Sequence, residues 1–185
     1  MPTNSHFKRP LRWFFRPRLS SPLHPSTALQ NWLLDEGSLT AKLVKLSHGH
    51  FRVEVLRQVF GRVALNEAQA LGIDPHQLCL IREVILRGQG QPWVFARSIF
   101  PVSSLTGSLR HLRKQGSRSL GAFLFSQPHL VRSPIALSLI SRHHAYVPEN
   151  LLGDAQAWGR RSIFSIDNKP LLVSEVFLPG FPDNQ

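Results

Sequence analysis

The sequence is short of several things, and each shortage excludes something. It has one cysteine, Cys79, in 185 residues. That excludes an internal disulfide framework and points to a reducing compartment. No apolar run approaches the roughly 20 residues needed to cross a bilayer. Met1 to Arg18 lacks the apolar centre of a secretory signal. His48, His50 and the His143-His144 pair have no Asp or Glu at ligand spacing, and there is no Cys-x-x-Cys, so no metal site is expected. There is no Walker-type phosphate loop and no Gly-x-Gly-x-x-Gly. Ser103 and Ser104 sit in no nucleophile elbow. Acids are scarce too, and none precedes Asp35.

Hydrophobic residues make up 42% of the chain, too many for a disordered polyelectrolyte. The length suits one domain with a substantial core. The formal net charge is +11, which asks for an anionic partner: nucleic acid, a membrane surface or a small anion. Part of the excess lies in Lys8, Arg9, Arg12, Arg16 and Arg18, around Trp13, Phe14 and Phe15. Residues 1–25 are therefore read as a basic, Pro-rich leader, a partly ordered tail, and residues 26–185 as the domain. The leader allows weak contact with an anionic membrane surface or an organelle-targeting role. No stacking-aromatic motif of an RNA-binding domain is present, so nucleic acid is not the expected partner. The reading is a soluble, cytoplasmic monomer.

Period and punctuation give the elements. Ser26 and Ser38 can cap two short helices, one carrying Leu29, Trp32 and Leu33, the other Leu39, Leu43 and Leu46. Phe51 to Gln58 alternates like a strand. Cys79 to Arg87 and Trp93 to Phe100 flank Gly88-Gln89-Gly90-Gln91-Pro92, which predicts a hairpin. Leu105 to Lys114 reads as helical, and Ser119 can cap another helix with Leu120, Phe123 and Leu124. Gln127 to Gln156 reads as a flexible excursion over the core. Arg160 to Ile166 and Leu171 to Leu178 flank Asp167-Asn168-Lys169-Pro170 in a second hairpin. The sum is a single α+β domain, an antiparallel sheet with helices covering one side.

Charges that break the alternation mark the candidate site. Leu80, Arg82, Val84 and Leu86 share a strand face, as do Leu171, Val173, Glu175 and Phe177. Arg97 sits between Phe95 and Ile99. Each charge is thus expected to point inward, and an unpaired buried charge is costly. Two readings stay open: a buried Arg82–Glu175 ion pair, or a cavity whose surplus arginine awaits an anion. Leu39 and Leu120 each follow a Ser cap, so their amides are among the free donors of a helix start. Glu83 and Arg87 are expected at the surface, and Arg160-Arg161 as solvated arginines.

Several blocks together resemble one family, chorismate pyruvate-lyase, the 4-hydroxybenzoate synthase of ubiquinone biosynthesis. They are Leu80-Ile81-Arg82-Glu83-Val84-Ile85-Leu86, Gln91-Pro92-Trp93-Val94-Phe95-Ala96-Arg97, Pro101-Val102-Ser103, Leu120-Gly121 with Leu124-Phe125, Trp158-Gly159-Arg160-Arg161-Ser162, and Lys169 through Pro179. Asn31-Trp32-Leu33-Leu34 and Gly37-Ser38-Leu39-Thr40 also match, and the blocks fall in family order. The resemblance implies about six antiparallel strands and a ligand cavity buried under helical flaps. It implies no metal or organic cofactor, chorismate as substrate and 4-hydroxybenzoate as product. It puts ligand contacts on Arg82 and Glu175 through side chains and on Leu39 and Leu120 through backbone, with Arg97 also lining the cavity. Glu175, Arg82 and Arg97 are then the expected catalytic residues. Three departures stand out: a basic leader longer than the family's, Leu39 where the family is expected to carry methionine, and an apparent insertion over residues 142–157. The same fold type also serves as a ligand-sensing domain of transcription regulators, the alternative class.

Overall fold

The computed structural model describes residues 9–15 and 24–183. The rest of the leader lies outside the described residues. Chain order is α1 (Thr27–Leu33), α2 (Leu39–Leu46), β1 (Phe51–Gly61), α3 (Leu65–Leu71), β2 (Cys79–Gly88), β3 (Gln91–Pro101), α4 (Leu120–Phe125), β4 (Val131–Arg132), β5 (Ala136–Ile140), α5 (Glu149–Leu152), β6 (Ala157–Ile166) and β7 (Lys169–Phe177). Short 3₁₀ turns cover Val102–Ser104, Gly107–Lys114 and Arg142–His144. The expected helix at Leu105–Lys114 is thus a 3₁₀ segment. Among the described residues, no helix is long and apolar enough to cross a membrane.

All strands join one antiparallel sheet in the order β1-β2-β3-β7-β6, with β4 and β5 both pairing the far side of β6. The sheet has seven strands rather than about six. The extra pairing comes from the stretch read as a flexible excursion, whose apolar Ala136–Ile140 is a sheet strand. Both hairpins turn on two residues with positive φ, Gln89 (51°) with Gly90 (80°), and Asp167 (51°) with Asn168 (59°). That is the type I′ geometry whose twist matches paired strands. Lys169 therefore begins β7, and Pro170 lies within the strand instead of ending the turn.

Each face of the sheet carries its own core. The front face holds Val84, Leu86, Ala96 and Phe177 under α1 and α2, and Leu80, Phe100, Leu171 and Val173 under α4 and the Leu109–Leu112 turn. The back face holds Phe95, Ile140 and Val176 with Val147 and Leu152, and Ile99 and Leu172 with Leu71 of α3. The expectation that helices cover one side is corrected by this second layer. Residues 9–15 also lie against the domain. Leu11 is buried, and Phe14 pairs with Leu137 through both backbone bonds at the edge of β5.

Candidate active site

A cavity opens between the front face and two helix starts. Arg82, Ala96, Ser98, Val173, Glu175 and Arg160 form its floor, with Leu39, Leu120, Gly121 and Arg132 at its walls. Its free volume is about 40 Å³.

The helix starts are built by the predicted caps. Ser38 Oγ accepts from the Ala41 amide, and Ser119 Oγ accepts from the Ala122 amide. Leu39 and Leu120, the first residues of α2 and α4, line the cavity, and as first helical residues their amides have no intrahelical acceptor. The two helices meet closely. Ser119 Oγ donates to Thr40 Oγ1 at 3.0 Å. A Cβ at Gly121 would come within 2.8 Å of Thr40 Oγ1, so glycine permits this approach.

Arg82 is 2% exposed and has no carboxylate partner. Its Nη2 donates to the carbonyls of Gly116 (2.8 Å) and Arg118 (3.2 Å), while Nε has no acceptor. Burial pulls its pKa down to about 10. Glu175 pairs with Arg160 instead of Arg82: Arg160 Nε donates to Glu175 Oε2 at 2.6 Å. The two lie opposite each other across β6 and β7. Arg160, itself 2% exposed, also donates to the carbonyls of Trp32 (2.8 Å) and Asp35 (2.7 Å). Arg132 donates to Ser162 Oγ and to the Asp35 and Glu36 carbonyls, and its guanidinium stacks on Phe164. Burial, then the nearby Arg160, lowers its pKa. Three guanidiniums thus face one carboxylate, and that carboxylate is already held by one of them.

The structure brings Arg82, Glu175, Leu39 and Leu120 to this cavity. It does not bring Arg97. The β2–β3 register pairs Arg97 with Glu83 and Ser98 with Arg82, which puts Arg97 on the back face. There it forms ion pairs with Glu67 at 2.8 Å and with Glu83. Burial opposes its charge, but the hydrogen bond and charge of Glu67, joined by Glu83, hold its pKa above the usual value. Its inward placement was right, but because both faces are covered, apolar neighbours do not say which side is inside. Glu83 is accordingly part of a half-buried network and not a free surface charge. The supposed insertion also belongs to the back face, where Tyr146 and Val147 pack near Phe95.

Arg160, expected as a solvated arginine, is instead buried against Glu175, and Arg132 was not foreseen. A signal for Arg160 existed. A two-residue turn at Asp167-Asn168 sets residues equally far from it opposite each other, and Arg160 and Glu175 are such a pair. Arg132 had no comparable signal, because β4 is only two residues long. Among the described residues, no three His, Cys, Asp or Glu side chains gather into a metal-holding group.

The model of the family described as chorismate lyase matches residues 15–183. A Pseudomonas fluorescens protein named probable chorismate pyruvate-lyase is 43% identical over 91% of this chain and 87% of its own length. One of the same name from Pseudomonas putida is 45% identical, covering 81% and 80%, and one from Azoarcus is 40% identical, covering 93% and 94%. Among solved structures, PhnF from Mycobacterium smegmatis aligns with a TM-score of 0.54 at 19% identity, covering 79% of this chain and 65% of that one. A GntR-family transcriptional regulator from Bacillus cereus aligns at 0.52 and 10% identity, over 70% and 92%. At such identities the likeness is one of fold. With its matched length, its sheet and its helix-capped cavity, the chain belongs to the chorismate lyase family.

Proposed function

We propose that the chain is a chorismate pyruvate-lyase that makes 4-hydroxybenzoate for ubiquinone biosynthesis. The observation that carries the reading is charge. Arg82 and Arg132 face one cavity with no carboxylate on either. Chorismate brings two carboxylates and a ring hydroxyl. Arg82 takes the ring carboxylate together with a free amide at the start of α2 or α4, and Arg132 takes the enolpyruvyl carboxylate. Arg160 occupies Glu175 Oε2 and leaves Oε1 to accept from the ring hydroxyl.

The reaction breaks the ring C–O bond, and its electron pair leaves with the enolpyruvyl oxygen. The hydrogen on the hydroxyl-bearing carbon is lost, either to the methylene of the departing side chain or to a base. Transfer to the methylene releases pyruvate directly, whereas loss to a base releases enolpyruvate, which takes up a proton at its methylene carbon to become pyruvate; 4-hydroxybenzoate results either way, and aromatisation drives the step. The protein's contribution is to hold one conformer, to keep water out and to place cations where negative charge gathers. The cavity is too small for the ring unless the α2 and α4 starts part, so these helices serve as the flaps.

Purified protein incubated with chorismate and excess chelator should release pyruvate and 4-hydroxybenzoate in equal amounts. Tight chorismate binding without turnover would overturn the reading in favour of a sensing domain.

A further inference from the structure

A second hollow lies toward the back face, where residues 11–15 pass along the edge of β5. Leu11, Trp13, Phe14, Asn66, Ala136 and Arg161 contribute to it. Three of its polar atoms are buried and have no hydrogen-bond partner: Trp13 Nε1, Asn66 Oδ1 and Arg161 Nη1. Three of the five such atoms in the described structure thus belong to residues that line this hollow, and a fourth is Arg82 Nε in the active-site cavity.

Arg161 is an unmatched cation. All eleven acidic side chains lie among the described residues. Glu67 and Glu83, which are on the same face, are engaged by Arg97, and Glu175 by Arg160. Arg161 itself enters no ion pair among the described residues. Its guanidinium stacks on Trp13 at 4.8 Å, which steadies the cation but satisfies no N–H. Burial lowers its pKa, and the nearby Tyr146 and Glu67 offset this only in part.

We propose that this hollow is a second ligand site, for a small organic monoanion. Its carboxylate sits on Arg161 Nη1 and Trp13 Nε1, and Asn66 Oδ1 accepts from a hydroxyl or amino group on the same molecule. One guanidinium suits a single negative charge better than a phosphate dianion. The remaining walls, Leu11, Phe14 and Ala136 among them, suit an apolar body. The site lies across the sheet from the Arg82 cavity, and residues 11–15 form its cover.

The test uses the full chain and benzoate as probe. Trp13 is one of four tryptophans, so its indole N–H signal can be followed in a ¹⁵N spectrum and identified by its loss in Trp13→Phe. Benzoate should move that signal saturably, and equally in Arg82→Ala, which disables the other cavity. In the Arg82→Ala background, calorimetry should show benzoate binding at least tenfold weaker on adding Arg161→Gln. Trp13→Phe, which keeps a stacking face and loses the donor, should weaken it several-fold and covers the case where Arg161→Gln fails to fold. No saturable movement up to on the order of 10 mM benzoate would overturn the proposal. So would unchanged binding in both variants, or loss of the Trp13 response in Arg82→Ala. None of these readouts depends on lyase turnover.

Discussion

Glu175 lies directly opposite Arg160 across the β6–β7 hairpin, and Arg160 Nε donates to Glu175 Oε2 at 2.6 Å. Arg160 is at the same time tied to two carbonyls behind α1. Glu175 is thus a positioned acceptor, with one oxygen fixed and the other available.

Glu175→Gln tests whether that carboxylate also takes the ring hydrogen. A general base contributes roughly 10²–10⁴-fold. If Glu175 only accepts a hydrogen bond, kcat should fall by about tenfold, well short of that range. Arg160→Met should produce a similar loss. The double variant should fall little further, since both changes release the same oxygen. A near-total loss in Glu175→Gln, measured by single-turnover kinetics, would assign it the proton transfer.

If Arg82 and Arg132 each take one carboxylate as proposed, their variants separate substrate from product. Arg82→Ala should weaken both, lowering kcat/KM by roughly 10²–10³-fold and raising the inhibition constant of 4-hydroxybenzoate. Arg132→Gln should raise KM for chorismate by about tenfold or more and leave the affinity for 4-hydroxybenzoate nearly unchanged, because the product carries one carboxylate. Equal losses for both ligands in Arg132→Gln would reduce its role to holding the Asp35 and Glu36 carbonyls.

Arg97 gives the opposite expectation. Replacing it by Met leaves Glu67, 1% exposed, buried without its ion-pair partner. Breaking a buried pair in this way costs roughly 3–5 kcal/mol. Urea unfolding should show that loss. The folded fraction should keep near-normal kcat, because Arg97 is on the other face of the sheet from the cavity.

Gly121→Ala addresses the flaps. Its Cβ would sit 2.8 Å from Thr40 Oγ1, so either the Thr40 side chain or α4 must shift and the α2–α4 contact loosens. Overpacking of this kind costs about 1–3 kcal/mol. The closed state bears that cost, and 4-hydroxybenzoate should dissociate at least tenfold faster in a stopped-flow displacement measurement.

Much of this was present in the sequence. Ser38 and Ser119 announce the helix starts that carry Leu39 and Leu120. Arg82 and Glu175 stand out as single charges in apolar strand faces, and local alternation is enough to see that. The two turns, Gln89-Gly90 and Asp167-Asn168, fix which strands are neighbours. The ordered family blocks then name the class. These signals are short-range, set by the period of a strand and the geometry of a turn.

What only the tertiary structure decided is which side of the sheet each charge serves. Arg97 and Arg82 have equally apolar flanks, but a one-residue difference in register sends them to opposite faces. Both faces are buried, so burial could not choose between them. The partner of Glu175 was decided by register, and the arrival of Arg132 by a two-residue strand that carries no periodic signal. The sequence determined that charges would be buried and where the helices would start. Packing two covered faces onto one sheet determined which of those charges meet.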